Sequence, residues 1–174
     1  MDAVPSLFVT WRLHGTLPLR RSPPRALADG RQFVSIDRLL DREVAGPTWL
    51  RRPEIAEIVA GTLQAHAAVL GEFDLHAWVV MPNHVHALLT PRTASRPAVL
   101  RWREAAGRLA LQALGLAGRP FWHHDTLERI VSDRPQRIAR YIESVPCTRL
   151  ARSPEEFPWS SRGAALQPEV SYCT

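Results

Sequence analysis

Along the chain, runs of alternating or continuous apolar residues give way to apolar positions at helical spacing, and the order of these segments predicts an α+β fold. Strand formers from Leu7 to Leu13 stop at His14-Gly15, with Pro18 beyond, and predict a first strand. Between Gly30 and Val44, Phe33, Ile36, Leu39 and Leu40 recur at the spacing of one helix face, and Pro47 lies past its end. A longer helix starts at Pro53-Glu54-Ile55; Ile55, Ile58, Val59, Leu63 and Ala67 trace its face up to Gly71. Phe73–Val80 and His84–Thr90 predict two strands joined through Met81-Pro82-Asn83, where proline and asparagine favour a turn or bulge. Pro97 to Leu116 reads as a third helix, Phe121 to His124 as a short strand or loop. The last helix is expected from the capping residues Ser132-Asp133, with Pro135 in its first turn, to just before Pro146.

Placing the first strand beside the hairpin gives an antiparallel sheet with helices packed mainly on one face. At 174 residues, with 45% hydrophobic and 22% charged residues, the chain reads as a single domain over residues 1–174. The proline- and arginine-rich stretch from Leu19 to Arg25 and the tail from about residue 162 are expected to be mobile. No apolar run approaches the roughly 20 residues of a membrane span, and the start of the chain lacks the pattern of a secretory leader. Cys147 and Cys173 form neither a disulfide framework nor a thiolate zinc cage, so a reducing, cytoplasmic setting is the expectation. The net charge is +5 and all 22 basic residues are arginine, whose planar fork suits phosphate and stacks on bases. The same bias arises from GC-rich coding, so charge alone leaves a nucleic-acid partner undecided.

Candidate chemistry centres on His84-Val85-His86. Side chains on a strand alternate faces, so the two imidazoles point the same way and can share one divalent ion while leaving positions open for water or phosphate oxygens. A bare His-x-His is a weak motif, but burying two imidazoles in so apolar a strand is costly unless something binds them. Tyr141 is a candidate phosphoryl nucleophile. Its place with Ile138, Ile142 and Val145 on one helical stripe fits a core residue equally well.

The strings Phe8-Val9-Thr10-Trp11-Arg12-Leu13, Leu75 to Leu89 with Met81-Pro82-Asn83-His84-Val85-His86-Ala87-Leu88-Leu89 at its centre, Phe121-Trp122, Tyr141-Ile142 and Phe157-Pro158-Trp159-Ser160-Ser161 span most of the chain. In these residues it resembles the REP-associated tyrosine transposases, single-tyrosine HUH transposases that act on single-stranded DNA. The resemblance implies a ferredoxin-like antiparallel sheet in which His84 and His86 bind Mg2+ or Mn2+ and Tyr141 attacks a DNA phosphodiester at hairpin-forming repeats. The implied products are a 5′-phosphotyrosine and a free 3′-hydroxyl, and reversal rejoins strands without a nucleotide cofactor. It also implies a monomer, although related transposases form dimers that swap the tyrosine helix. Arg12, Arg103 and Arg108 are the expected phosphate contacts and Trp102 a stacking candidate.

The chain departs from the family pattern at several points. An asparagine four residues after the tyrosine, one helical turn along, is replaced by Val145, which carries no ligand atom. Ser144 precedes that position and faces elsewhere. A glycine after this helix is replaced by Leu150, and a Tyr-Asp-His segment by Leu127-Glu128-Arg129; a lysine on the third helix is Arg103. With two imidazoles and no oxygen ligand, a preference for Mn2+ over Mg2+ is expected. Three classes follow: a tyrosine-dependent DNA strand transferase, with catalysis intact or impaired; a catalytically inactive hairpin-binding protein of the same fold; and, least supported, a small metal-dependent phosphoesterase with no DNA partner.

Overall fold

Aromatic and β-branched residues extend the chain into four strands, β1 (Ser6–Arg12), β2 (Phe73–Val80), β3 (His84–Pro91) and β4 (Leu127–Val131), in a computed structural model that describes residues 4–17, 30–42, 45–92, 97–148 and 150–164. The helices are α1 (Gly30–Asp41), α2 (Pro53–Ala68), α3 (Pro97–Leu114), α4 (Pro135–Ser144) and the single turn α5 (Ser161–Ala164). The stretch from Leu19 to Arg25 and the tail beyond residue 164 lie outside the described residues. No helix among the described residues is long and apolar enough to cross a membrane.

The strand order is β2-β3-β1-β4, and every neighbouring pair is antiparallel, which is the ferredoxin-like arrangement. Each of β2 and β4 returns to the sheet two places away from the strand before its crossover, with one strand between, so α2 and α3 lie over the same face. Of the helices expected mainly on one face, α2 and α3 share it, while α4 and the C-terminal part of α1 lie opposite. Leu7, Val9, Trp11 and Leu13 alternate toward α2 and α3, with Val85, Ala87 and Leu89 on β3 beside them; Phe8, Thr10, His84, His86 and Leu88 point to the other side. A register shift between Leu75 and Ala77 puts Ala77 and Val79 on the histidine face too.

The larger core fills the space beneath α2 and α3, and the smaller one joins Phe8, Ala77, Val79, Met81 and Leu88 to Ile142 and Val145. Trp102 is fully buried in the larger core, with its ring centroid 4.5 Å from that of Trp11. This corrects its candidacy as a base-stacking residue, because it lies on the apolar stripe of α3 and has no face left for a ligand. Nearby, Gly107 lets the indole of Trp122 approach to 3.1 Å from where a Cβ would stand.

One strand was not expected, and one cap differs from the expectation. The chain at Leu127-Glu128-Arg129 is strand, paired with β1 at the sheet edge, where charged residues are tolerated and blur the alternation that marks a central strand. At the start of α4 the cap position is Arg134, in the left-handed region at φ 49°, rather than Ser132 or Asp133; Pro135 does occupy the first turn. Trp102→Ala should lower unfolding stability by about 3–5 kcal/mol, read as a reduced urea midpoint with no change in the exposed arginines of α3.

Candidate metal and nucleophile site

His84 and His86 stand on the central strand β3 with their rings fully buried, and their Nε2 atoms are 3.1 Å apart. Each ring is held from its far side. Asn83 donates from its amide nitrogen to the Leu40 carbonyl at 2.9 Å, which turns its Oδ1 toward His84 Nδ1, 2.7 Å away. His84 Nδ1 must therefore carry the proton, and its Nε2 keeps a lone pair. On β1, directly opposite His86, Thr10 places its hydroxyl 2.7 Å from His86 Nδ1. Thr10 and Asn83 thus aim both Nε2 atoms toward one point, as the outer partners of metal-binding histidines do.

The carboxylate that meets them comes from α1. Asp37 Oδ1 is 2.7 Å from His86 Nε2 and 3.6 Å from His84 Nε2, and Asp41 Oδ1 is 3.9 Å from His84 Nε2. Asp37, unlike either histidine, was missed from the sequence, although a signal exists: it shares the helix face of Phe33, Ile36 and Leu40, and an acid within an apolar stripe calls for a partner. Tyr141 completes the cluster from α4. Its hydroxyl donates to Asp37 Oδ2, and its ring lies 6.4 Å from that of His86 and 6.2 Å from that of Phe8. The tyrosine is therefore beside the histidines as well as at the rim of the apolar stripe.

Burial, and next the neighbouring His86, push the His84 imidazole down to about 3, against a smaller opposing pull from Asp37. Burial would raise Asp37, but the charge and hydrogen bond of His86 and the charge of His84 hold it below the usual carboxylate range. Two imidazoles facing an ionised carboxylate form a donor set for a divalent cation, since all three ligand atoms lie within 4.8 Å of one another.

A second group, His123, His124 and Asp125, also brings its ligand atoms within 4.8 Å. The guanidiniums of Arg12 and Arg103 act on this loop; Arg12 helps to depress His123, and Arg103 donates to the His123 carbonyl. Two such cations oppose a metal ion there.

Other expected site residues are placed differently. Arg12 is 5% exposed and its guanidinium is depressed by burial, which Asp125 partly offsets, so it is an internal charge and not a surface phosphate contact. The loop carrying His123 covers it, through the His123 N–H to the Arg12 carbonyl. Arg103 is half-buried. Arg108 is exposed, and the two line a groove of about 620 Å³ with Leu111, Phe121 and Trp122, on the α3 side of the molecule. Val145 is buried in the smaller core, and Ser144, on the outside, donates to the Tyr141 carbonyl.

No protein-family model matches the chain, and no curated protein matches it. Among solved structures it is similar to a REP-associated tyrosine transposase bound to a REP hairpin, with 16% identity, a TM-score of 0.56, and 96% of this chain and 84% of that chain covered. At that identity the likeness shows the shared fold.

Because the native His84 and His123 imidazoles are depressed to about 3 and about 4, the unfolded chain binds more protons than the native one below the ordinary histidine value of 6.5. Their contribution is complete above that value and is lost as pH falls toward the native values; the depressed Asp37 acts in the same direction at lower pH. With divalent ions chelated, urea midpoints should fall steadily from about pH 7 to about pH 4, and His123→Gln should flatten part of that slope.

Proposed function

We propose that this protein binds a single-stranded DNA hairpin and uses Tyr141 to cut and rejoin it, with a divalent ion, Mg2+ or Mn2+, held at His84 and His86. The observation that carries this reading is the position of the Tyr141 hydroxyl. It donates to the carboxylate whose other oxygen is 2.7 Å from His86 Nε2, so the nucleophile and the histidines, far apart in sequence, occupy one place. The fold supports the same reading, because the solved transposase that shares it is bound to a REP hairpin.

Chemically, the Tyr141 oxygen attacks the scissile phosphorus while the P–O3′ bond breaks. The tyrosine keeps the 5′-phosphate, its proton passes out of the attacking oxygen, and the departing 3′-oxygen gains one to become a hydroxyl. When bound, the ion withdraws charge from the phosphate oxygens and lowers the barrier to attack. Asn83 fixes the tautomer of His84, Thr10 orients the ring of His86, and Asp37 holds the hydroxyl at the site. The dry packing of Phe8 and Ile142 around the tyrosine limits competing attack by water. Arg108 and Arg103 supply positive charge along the α3 groove, where the strand's phosphates can lie.

Val145 favours a second reading, hairpin binding without cleavage, because the tyrosine helix offers no ligand one turn after Tyr141. A salt titration by fluorescence anisotropy, followed by denaturing gels with Mn2+, separates the two. Expected are preference for hairpin over duplex, affinity falling steeply with salt, and a covalent adduct that Tyr141→Phe abolishes without loss of binding. Salt-sensitive binding with no adduct would leave the non-cleaving reading. Equal affinity for duplex and hairpin, or no salt dependence, would remove the hairpin partner altogether.

A further inference from the structure

We propose that Asp37 is the third metal ligand of this site, taking from α1 the place that the family pattern gives to residue 145, and that its second oxygen stations Tyr141. This inference rests on the metal reading above and names the donor that completes it.

Residue 145 cannot serve. Val145 is packed with Phe8, Ala77, Val79, Met81 and Leu88, and has no lone pair. Asp37 instead forms a triangle with the two imidazoles, with edges of 2.7, 3.1 and 3.6 Å between Oδ1 and the two Nε2 atoms. Two ligand atoms each about 2.1 Å from an ion and at right angles stand about 3 Å apart, so the two shorter edges suit adjacent positions around one ion and the third is wider. The direction of the lone pairs agrees: the Asn83 amide, fixed by the Leu40 carbonyl, leaves His84 Nε2 unprotonated and turned inward. Because Leu40 and Asp37 share α1, the same contact that sets the tautomer also anchors the helix that brings the carboxylate.

Rival donors are less well placed. Asp41 Oδ1 lies 3.9 Å from His84 Nε2, and the Asp41 side chain is 19% exposed against 3% for Asp37. The Tyr141 hydroxyl is already engaged by Asp37 Oδ2. One carboxylate therefore contacts the metal-binding histidines through one oxygen and the nucleophile through the other, which ties the position of Tyr141 to the geometry of the metal site. A charged oxygen ligand also suits a hard ion, so the preference for Mn2+ over Mg2+ expected of two imidazoles alone should be reduced.

The test is Mn2+ binding by the full chain without DNA, followed by electron paramagnetic resonance of the free ion, with Mg2+ as competitor. Asp37→Asn should weaken Mn2+ binding by about tenfold or more, as loss of a ligand or its support does, while Val145→Asn changes it by less than about twofold. Wild-type affinity in Asp37→Asn, together with loss in His86→Ala, would overturn the Asp37 assignment and leave the histidine site standing. No Mn2+ binding by the wild type, or none lost in His86→Ala, would instead remove the metal reading on which it rests. A measurement free of variants is the side-chain carboxylate carbon shift of Asp37 in the wild-type protein. Saturating Mg2+ should move it, with Asp41 and Asp125 unmoved, and an unmoved Asp37 signal would equally overturn the assignment.

Discussion

Two imidazoles and a carboxylate are buried against one another between the sheet and the helices α1 and α4, and the surrounding structure is arranged to make that tolerable. An isolated charge or an unpaired imidazole in such a place would cost several kcal/mol. Here each polar atom has a defined neighbour: Thr10 and Asn83 behind the rings, Asp37 in front, Tyr141 on the far side of Asp37. The interactions come from β1, β3, α1 and α4, so the polar cluster joins elements distant in the chain. It is both a constraint on the fold and the proposed site of chemistry.

The sheet makes this possible by keeping its two faces different. Toward α2 and α3 it presents an almost wholly apolar surface with Trp11 and Trp102 at its centre, and this larger core can hold the strands in register. The opposite face is then free to carry polar side chains at Thr10, His84 and His86, with Phe8, Val79, Leu88, Ile142 and Val145 as an apolar margin. Val145 belongs to that margin and packs the end of α4 against the sheet.

Arginine serves two different physical purposes in this chain. Arg12 and Arg103 are drawn inward around the loop that carries His123 and Asp125, where burial depresses both guanidiniums and nearby carboxylates offset part of that cost. Arg108 remains in water on α3 beside the groove. A net charge of +5 therefore overstates the positive surface open to a polyanion, because charge inside the protein is already balanced by local carboxylates.

From the sequence alone follow the α+β order, the hairpin, the two long helices and the common face of His84 and His86, because these depend on periodicities of two and 3.6 that short segments display by themselves. The strand β4 was hidden, since at a sheet edge its Glu128 and Arg129 need not alternate with apolar residues. The roles of Arg12 and Trp102 were hidden for the converse reason: which arginine or tryptophan reaches solvent is settled by what packs over it, and residue type does not reveal that. Asp37 is the sharpest case. Its position on the apolar stripe of α1 marks it as unusual, but only the docking of α1 onto β3, through Asn83 and the Leu40 carbonyl, brings its carboxylate to the histidines and to Tyr141. Contacts between residues so far apart in sequence arise from packing of complete elements, and no local pattern encodes them.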